Sequence, residues 1–576
     1  MPKRSSGTEP GKRLRIIPVS NSDHAQITDD VSRWEAAKKE TPETLAIAGK
    51  ILDDVIAGED VFKAIRSHPI PDRGHISKSS LITVYRARVA AGELAEDAGL
   101  YLKLRMKPSR TLSGVTTVTV LTRPFPCPGE CIFCPNDARM PKSYLPDEPG
   151  AARAFQNEFD PYRQVRSRLR AYEAVGHPTE KIELLILGGS WTSYPIEYRE
   201  RFIQRCFDAM NGVDSPDLAA AQRLNESAAH RNVGLVVETR PDELDPAELK
   251  ELRRLGATKI QLGIQSLDDR ILKLNRRGHT VREALSAVAL CRAAGFKIVL
   301  HWMPNLLGAT PESDAEDFAR LWSADRGGLG FCPDEIKIYP TQLVKNAGLY
   351  QEWIEGRYRP YDTETLIELI AAVKPTIPPY CRVNRVIRDI PSHHVVAGNR
   401  RTSLRMDIQR RVRENGQTCA CIRCREIRGQ PVSPEELTLR DTVYQAAYAE
   451  EHFLQFVASD DKLAGYLRLS LPKAERPDVG IDELANAAII REIHIYGQSL
   501  GVGEEADGAA QHIGLGKRLI ERAVEIAAEN RLPRLAVIAA VGTRGYYRKR
   551  GFRDGNFYMI RDVFSDNDRG ENSAIQ

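Results

Sequence analysis

Seven short segments that are apolar, or that alternate apolar and polar residues, recur between residues 115 and 387. Each is separated from the next by enough chain for a helix. This order is typical of an α/β fold built from strand and helix pairs. The predicted strands are residues 115–121, 182–187, 233–238, 258–263, 297–302, 335–339 and 382–387.

A second pattern of the same kind lies near the carboxyl terminus. Residues 488–495 and 535–540 are strand-like apolar runs, and residues 518–530 between them have helical apolar spacing. Residues 31–67 near the amino terminus also show the apolar spacing of helices. The hydrophobic pattern therefore predicts a helical region, a larger α/β domain and a smaller α/β domain.

Length and composition favour a cytoplasmic protein of two or three domains. The chain has 576 residues, enough for several separate cores. No apolar run approaches the roughly twenty residues of a membrane span, and the polar amino terminus lacks a signal-peptide core. The ten cysteines are grouped in short motifs, which suits a reducing compartment. We therefore expect cytoplasmic localisation and no membrane partner.

Three of these cysteines, Cys127, Cys131 and Cys134, share one eight-residue loop after the first predicted strand. Three thiolates can hold three irons of a 4Fe–4S cluster and leave the fourth iron open to chelation by S-adenosylmethionine. A structural zinc site usually has a fourth ligand nearby, yet the next forty residues contain no cysteine or histidine. Zinc and unliganded core cysteines are the alternatives.

A pair of glycines, Gly188 and Gly189, follows the second predicted strand. Without side chains they would let the backbone approach the amino and carboxylate groups of a small ligand. A simple tight turn is the alternative. The cysteine loop at the end of the preceding strand favours the ligand-binding interpretation.

These features resemble the radical S-adenosylmethionine superfamily. The resemblance implies a partial parallel (β/α) barrel over about residues 85–395, with its site at the carboxyl ends of the strands. Several polar residues lie near those ends, and a salt bridge or a cap is the alternative role for each. Together with Gly188 and Gly189, the expected ligands of S-adenosylmethionine are Glu238, Gln261 and His301, and neighbouring candidates are Arg240, Gln265 and Asn305.

A glycine-rich turn precedes the predicted helix near the carboxyl terminus. Such turns present free backbone N–H groups and the positive end of the helix dipole to a pyrophosphate. The turn resembles the acyl-coenzyme A loop of the GNAT superfamily of N-acetyltransferases, so we expect it to bind acetyl-coenzyme A. Its residues are Gln511, Gly514, Leu515, Gly516 and Lys517.

Two tyrosines follow at the distance that this resemblance implies. Tyr547 corresponds to the tyrosine that can protonate a departing thiolate, and Tyr546 occupies the position that packs beside pantetheine. Packing alone is the alternative for both residues.

The net charge is only +4, but the basic residues are unevenly distributed. Acid-free basic segments bind phosphates in a salt-dependent way without reading sequence, although a solvated helix face is the alternative. One such segment lies between residues 101 and 123, and a second basic concentration covers residues 382–413. The RNA-binding candidates are Lys103, Arg105, Lys107 and Arg110 in the first and Arg400 and Arg401 in the second.

A second cysteine group, Cys419, Cys421 and Cys424, lies between the two α/β patterns. Three thiols so close together can reach one tetrahedral ion, and this position favours a structural zinc over a catalytic one. Three free thiols are the alternative. We expect Cys332 as the fourth ligand. The next candidates for the same position are Cys381 and His393 or His394.

The two halves together resemble the Elongator protein 3 family in a free-standing prokaryotic form, over about residues 75–562. The segments that carry this resemblance include residues 107–116, 278–281, 388–391 and 545–549. The implied domains are a disordered tail (1–22), a helical RNA-binding region (23–84), the radical domain (85–395), a zinc-binding linker (396–440), the acetyltransferase domain (441–564) and a frayed tail (565–576).

This resemblance implies a tRNA-modifying enzyme that places a carboxymethyl-type group on carbon 5 of wobble uridine 34. Its cofactors would be a 4Fe–4S cluster, S-adenosylmethionine, acetyl-coenzyme A and zinc. Its partners would be tRNA and an electron donor such as ferredoxin or flavodoxin, and a homodimer is compatible with it. The alternatives are a protein lysine acetyltransferase with the barrel as scaffold, another radical enzyme such as a methylthiotransferase, and a non-catalytic RNA-binding module.

Overall fold

The structure of the protein is a computed structural model. It describes residues 40–70, 74–107, 111, 113–322, 330–428, 430, 432–496 and 514–564. The chain divides into two compact units, one ending at Leu104 and the other beginning at Arg105. Within the described residues, no helix is long and apolar enough to cross a membrane. The predicted tails and Gln511 lie outside the described residues.

The first unit is helical. Its elements are α1 (Pro42–Ile56), α2 (Val61–Ser67), β1 (Pro69–Ile70), β2 (Gly74–His75), α3 (Lys78–Ala90) and α4 (Ala98–Leu104). Thr41 caps α1 by accepting a hydrogen bond from the backbone N–H of Thr44. The predicted end of the amino-terminal region at residue 84 is too early. Helix α3 continues across it, and Tyr85 on that helix is buried in the hydrophobic core of the first unit.

The second unit begins with seven parallel strands that pair in chain order. All seven predicted strands are confirmed, with shifts of one or two residues at most of their ends. They are β3 (Thr116–Leu121), β4 (Lys181–Leu187), β5 (Arg231–Thr239), β6 (Lys259–Gln265), β7 (Lys297–Trp302), β8 (Glu335–Ile338) and β9 (Arg382–Arg385).

Helices follow these strands and cover the outer face of the sheet. Ile182, Leu184 and Ile186 of β4 are fully buried and share a core with Phe202 and Phe207 of the helix Ile196–Asn211. The helices are α5 (Pro149–Gln156), α6 (Pro161–Ala174), α7 (Ile196–Asn211), α8 (Leu218–Asn225), α9 (Pro246–Arg254), α10 (Asp269–Leu274), α11 (Val281–Ala293), α12 (Pro311–Arg320), α13 (Leu349–Ile354) and α14 (Thr363–Val373).

A second seven-stranded sheet forms the carboxyl-terminal domain, after α15 (Leu404–Glu414) and α16 (Ile422–Arg425). Its strand order is β10-β11-β12-β13-β14-β16-β15, and it is antiparallel except between β13 and β14. The elements are β10 (Thr438–Ala446), β11 (Ala449–Val457), β12 (Leu463–Pro472), β13 (Ala487–Ile495), α17 (Leu515–Glu529), β14 (Arg534–Val537), α18 (Arg544–Arg548), β15 (Arg553–Asp554) and β16 (Met559–Asp562). The predicted boundary at residue 440 falls inside β10.

The carboxyl-terminal domain packs on the amino-terminal ends of the parallel strands. Arg491 of β13 donates to both carboxylate oxygens of Asp334, at 2.6 and 2.7 Å, and to Glu451 at 2.7 Å. Asp334 directly precedes β8 and is fully buried. Burial alone would raise the pKa of Asp334, but Arg491 and Arg468 lower it far below its usual range. These charge-assisted contacts fix one domain against the other.

A candidate active site within one cavity

One cavity of about 1560 Å³ lies in the second unit. Its lining includes Cys127, Cys131 and Cys134 of the cysteine loop, and it also includes Gly516 and Tyr547 of the carboxyl-terminal domain. The two groups of predicted site residues therefore face one continuous space. Since they lie on different domains, this follows from the domain packing and not from either motif alone.

Two arginines surround the buried thiol of Cys131. Arg277 Nη1 lies 3.4 Å from its Sγ, and Arg240 Nη1 lies 3.9 Å from it. A hydrogen bond from Cys134 lowers the pKa of Cys131 to about 5, against the effect of burial, and Arg277 adds to the lowering. A Cβ on Gly129 would lie 2.2 Å from Arg240 Nη1, so glycine allows this arginine to approach the loop. The site is built to hold thiolate charge.

The donor set of the loop fits an iron–sulfur cluster. Its three thiols all line the cavity, and the backbone N–H of Gly129 donates to Cys127 Sγ at 3.4 Å. The three sulfurs do not all lie within 4.8 Å of one another, unlike those of the second cysteine group. Three thiols suit three irons of a cluster with the fourth iron open, whereas a structural zinc is usually closed by four protein ligands.

The predicted ligands of S-adenosylmethionine lie on the same side of the cavity as the cysteine loop. Glu238, Gln261 and His301 line it, and His301 Nε2 lies 3.2 Å from Gln261 Oε1. Burial, with Lys337 and Arg277 nearby, lowers the pKa of His301 well below its usual range. Burial raises the pKa of Glu238.

The two glycines after β4 have different surroundings. Gly189 has φ +96° and lines the cavity beside the Lys142 carbonyl. Gly188 has φ +136°, and a Cβ there would lie 1.9 Å from Thr122 Oγ1. Gly188 is thus needed for close packing, and Gly189 is the one of the two whose bare backbone faces the cavity.

Three cationic residues of this site were not predicted from the sequence to lie near a bound ligand. Arg277 contacts Cys131, Lys337 donates to Gln261 Oε1, and Arg388 donates to Glu148 and to Ser143 Oγ at 2.7 Å. Arg277 directly precedes the segment 278–281 and Arg388 begins the segment 388–391. Both segments carried the family resemblance, and this was the available signal.

The acyl end of the cavity is formed where two parallel strands separate. β13 and β14 pair only as far as Ile490 and Val537, and β13 then continues to Ile495. Residues on both sides of the resulting opening, Ile493 and Ile538 among them, line the cavity. An extended chain can enter the sheet at such an opening, because the backbone there is not paired on that side.

The glycine-rich turn stands at the entrance to this opening. Gly514 caps α17 with φ +71°, and Gly516 and Lys517 line the cavity in the first turn of that helix. Leu515 is buried in the core. A Cβ on Gly516 would lie 2.4 Å from Tyr546 Oη. The free N–H groups of the first turn suit a phosphate.

The two tyrosines differ in environment. Tyr546 stacks under Arg550, whose guanidinium carbon lies 3.4 Å from the ring centroid. Tyr547 is only 5% exposed, yet it lines the cavity. Burial raises the pKa of Tyr547, with Tyr546 adding to the effect. Its phenol therefore stays protonated at neutral pH, as a proton donor must be.

The second cysteine group is compact. The Sγ atoms of Cys419, Cys421 and Cys424 all lie within 4.8 Å of one another, and Lys374 Nζ lies 3.3 Å from Cys424 Sγ. The expected fourth ligand, Cys332, does not join them, because its Sγ points to the carbonyl of Gln445 at 3.7 Å.

The next two candidates for the fourth ligand are placed differently from each other. The carbonyl of Cys381 accepts the N–H of Ile422 at 3.0 Å, which puts its backbone beside the group, but its Sγ is not among the three sulfurs that lie within 4.8 Å of one another. His393 and His394 instead share Asp147.

The RNA-binding candidates have mixed surroundings. Lys103 and Lys107 are exposed, and Arg105 Nε donates to Gly176 O at 2.6 Å. Arg400 donates to Val396 O, and Arg401 lies 3.8 Å from Asp407. Arg110 is outside the described residues. Much of the second basic concentration is neutralised, since Arg382, Arg385, Arg388, Arg410 and Arg411 pair with carboxylates.

Comparison with known proteins defines the class first. Residues 126–321 match the radical SAM superfamily, residues 333–414 match a radical SAM C-terminal domain, and residues 421–552 match the acetyltransferase (GNAT) family. The protein thus joins a radical SAM half-barrel to a GNAT domain, as the sequence predicted.

Whole-chain relatives narrow the class to a family. A tRNA uridine(34) acetyltransferase of Dehalococcoides mccartyi is 44% identical over 79% of this chain and 99% of that protein. Elongator complex protein 3 of Danio rerio is 35% identical over 80% and 86%. The structure of the archaeal Methanocaldococcus infernus Elp3 covers 78% of this chain and 99% of that one, with TM-score 0.68 and 34% identity. The chain belongs to the tRNA uridine(34) acetyltransferase and Elongator complex protein 3 family.

The acyl site gives a testable contrast between two substitutions. Tyr547→Phe removes only a hydroxyl, so coenzyme A affinity should survive while thioester turnover falls by about 10²-fold, typical of a lost general acid. Gly516→Val should instead weaken coenzyme A binding, because its side chain would displace Tyr546 and occupy the phosphate space. Calorimetry with coenzyme A and a turnover assay in the presence of tRNA measure the two effects.

A matched control is Tyr162→Phe, which removes a phenol outside the cavity and should leave turnover unchanged. Wild-type turnover in Tyr547→Phe would limit that tyrosine to packing. Wild-type coenzyme A affinity in Gly516→Val would mean that the phosphates bind elsewhere.

Proposed function

We propose that the protein modifies tRNA by installing a carboxymethyl-type group, derived from acetyl-coenzyme A, on carbon 5 of wobble uridine 34. The observation that carries the proposal is the single cavity shared by the cysteine loop and the acyl site. Relatives named tRNA uridine(34) acetyltransferase, similar over most of their length, support the substrate class.

The chemistry of the substrate explains why both modules are needed. Carbon 5 of uracil is not acidic, and an ordinary acetyltransferase acts on amines or hydroxyls. A carbon–carbon bond at this position calls for an activated acetyl methyl group, and radical chemistry provides one. A protein lysine acetyltransferase would need only the GNAT domain, and it would not require a cavity that continues to the cysteine loop.

On the radical side, Cys127, Cys131 and Cys134 would hold the 4Fe–4S cluster. A cluster at this site supplies the electron for reductive cleavage of S-adenosylmethionine. Arg240 and Arg277 compensate the charge on Cys131. The backbone of Gly189 would contact the amino and carboxylate groups of S-adenosylmethionine, and Glu238 would line the same part of the cavity with a polar side chain. The electron would come from a ferredoxin-like or flavodoxin-like donor.

On the acyl side, Gly514, Gly516 and Lys517 would hold the pyrophosphate at the start of α17. Release of coenzyme A requires attack of water on the thioester carbonyl and cleavage of the carbon–sulfur bond. Tyr547 would donate its phenolic proton to the departing sulfur, and solvent would reprotonate the phenolate.

We also propose that Cys419, Cys421 and Cys424 hold a structural zinc, with Cys381 as the fourth ligand in place of Cys332. The support is the compact thiol group and the position of Cys381 beside it. A closed site of this kind would join the end of the barrel to the GNAT domain.

The cluster assignment and the function are tested together with Cys131→Ala. Anaerobically reconstituted wild type should hold about four irons per chain and form modified uridine 34, measured by mass spectrometry of digested tRNA. Cys131→Ala should lose cluster absorption and product while retaining tRNA binding, since the loop does not contribute to the exposed basic surface. A tRNA with cytidine at position 34 is the control substrate. Full iron content and activity in the variant would contradict the assignment.

The tRNA surface is tested with Lys103→Ala combined with Lys107→Ala. Both side chains are exposed, so the variant should bind several tRNAs more weakly by a similar factor. The slope of log affinity against log salt should become shallower by about one per lost phosphate contact. Lys63→Ala, which removes a lysine already paired with Glu59, is the control. An unchanged slope in the double variant would exclude these residues from the interface.

The zinc proposal is tested by metal analysis. Purified wild type should contain about one zinc per chain in addition to iron, as a closed tetrahedral site requires. Cys421→Ser should lose it, and Cys332→Ser should keep it because that thiol lies apart from the group. Zinc loss on substitution of Cys332, with Cys421→Ser unaffected, would reverse the proposed ligand set.

A further inference from the structure

The inward-facing residues of β3 to β9 enclose the part of the cavity that we call the barrel lumen. On β4 every second residue, namely Lys181, Glu183, Leu185 and Leu187, lines the cavity, and the residues between them are buried in the outer core. β3, β6 and β8 follow the same alternation, and residues of β5, β7 and β9 also line the cavity. Their lumen residues include Thr117, Thr119, Glu238, Lys259, Gln261, Lys297, His301, Glu335, Lys337, Arg382 and Asn384.

A polar lumen is unusual for a parallel barrel, whose interior is normally filled by branched apolar side chains. Here six of the seven strands, β4 to β9, begin with a charged residue. Buried charges must be paired, and such pairs are seldom more stabilising than apolar packing. The charges are therefore better explained by a need to keep the lumen open and hydrated than by stability.

Charged residues at or near the beginnings of β4, β6, β7 and β8 form one network. Lys259 Nζ lies 2.6 Å from Glu183 and 3.4 Å from Glu335, and Lys297 contacts both Glu335 and Glu492. Glu335 and Glu492 retain only 3% and 12% of their side-chain exposure. The network lies at the end of the lumen opposite the cysteine loop, where the cavity continues to the acyl site.

Glu492 connects this network to the acyl site. It belongs to the part of β13 that has separated from β14, and its carboxylate accepts from Tyr466 Oη at 2.8 Å and Arg468 Nε at 2.9 Å. The next residue, Ile493, would lie 3.7 Å from a Cβ on Gly516 of the phosphate turn. A chain that enters between β13 and β14 thus arrives at Lys297 and Glu492.

The pantetheine arm of coenzyme A is long enough to extend into the lumen. Lys297 and His301 are four residues apart on β7, which is about 13 Å of strand. The pantetheine arm has roughly the chain length of four peptide residues, about 14 Å when extended. Part of the arm spans the distance from the pyrophosphate at α17 to the network, so the remainder brings the acetyl group into the lumen beyond Lys297 and Glu492.

We propose that the barrel lumen is the binding channel for the acyl-pantetheine arm of acetyl-coenzyme A, and that Lys297 and Glu492 form its threshold. This inference rests on the proposed function. The arm enters between β13 and β14, separates Lys297 from Glu492 and carries the acetyl methyl group into the lumen toward the cysteine loop while the pyrophosphate stays at α17. The amides of the arm meet lumen groups such as Thr119 and Gln261, which can donate or accept hydrogen bonds.

The test narrows the lumen without breaking the ion network, because removing one partner of a buried pair can unfold the chain. Leu185 suits this purpose: it faces the lumen two residues beyond Glu183, opposite Thr119 and Val236 on the neighbouring strands. Leu185→Trp fills the middle of the channel. Leu224→Trp, which adds the same side chain at an exposed position of α8, is the matched control.

The first readout needs no cluster. S-ethyl-coenzyme A, a stable analogue with the full arm, should bind Leu185→Trp at least about tenfold more weakly than wild type, a difference of about 1.4 kcal/mol. Adenosine 3′-phosphate 5′-diphosphate, which lacks the arm, should bind both chains equally. Leu224→Trp should bind both ligands as wild type does. Equal affinity of the analogue for Leu185→Trp and wild type would overturn the channel.

The second readout uses the reconstituted enzyme and acetyl-coenzyme A with a deuterated methyl group. Wild type should transfer deuterium to 5′-deoxyadenosine, and Leu185→Trp should form 5′-deoxyadenosine with at least about tenfold less deuterium, since the methyl group no longer reaches the site. Undiminished transfer would overturn the channel. Absence of modified uridine with wild type would instead contradict the proposed function, and the affinity comparison would still decide the channel.

Discussion

The buried ion pairs between the barrel and the GNAT domain are the interaction on which the rest of the structure depends. Arg491 holds Asp334 and Glu451, and Lys297 holds Glu335 and Glu492, all with little or no contact with solvent. Removing one partner from such a pair leaves a buried unpaired charge, at a cost of several kcal/mol. This strict pairing fixes one docking geometry, and that geometry joins two separate sites into one cavity.

The same pairs explain why the barrel can be polar inside. Its stability comes from the outer face, where Ile182, Leu184, Ile186 and their equivalents on the other strands pack under helices. The inner face does not have to supply apolar packing, so it can carry lysines, glutamates and glutamines. Alternation along each strand separates the two tasks, because neighbouring side chains point to opposite faces.

The sequence predicted much of this architecture and part of the site. All seven barrel strands were found from apolar runs, and the cysteine loop and glycine-rich turn were found from local spacing. Arg277 and Lys337 could not be assigned roles in the same way, because their partners Cys131 and Gln261 are distant in sequence. Cys332 was expected as the fourth ligand of the second cysteine group, which is also distant in sequence, yet its thiol turns to the carbonyl of Gln445. Local motifs report ligands within one loop, whereas contacts across the fold require its coordinates.

A carbon radical must be kept away from groups other than its substrate. An activated acetyl group in open solvent would be quenched, so it must be formed where few other groups can react. A narrow lumen that admits the substrate arm from one end and meets the cysteine loop at the other provides this isolation. The charged threshold at Lys297 and Glu492 lies on the path between the acyl site and the lumen, so the arm must pass it. The two domains need to be fused because neither alone can both hold coenzyme A and shield its acetyl group.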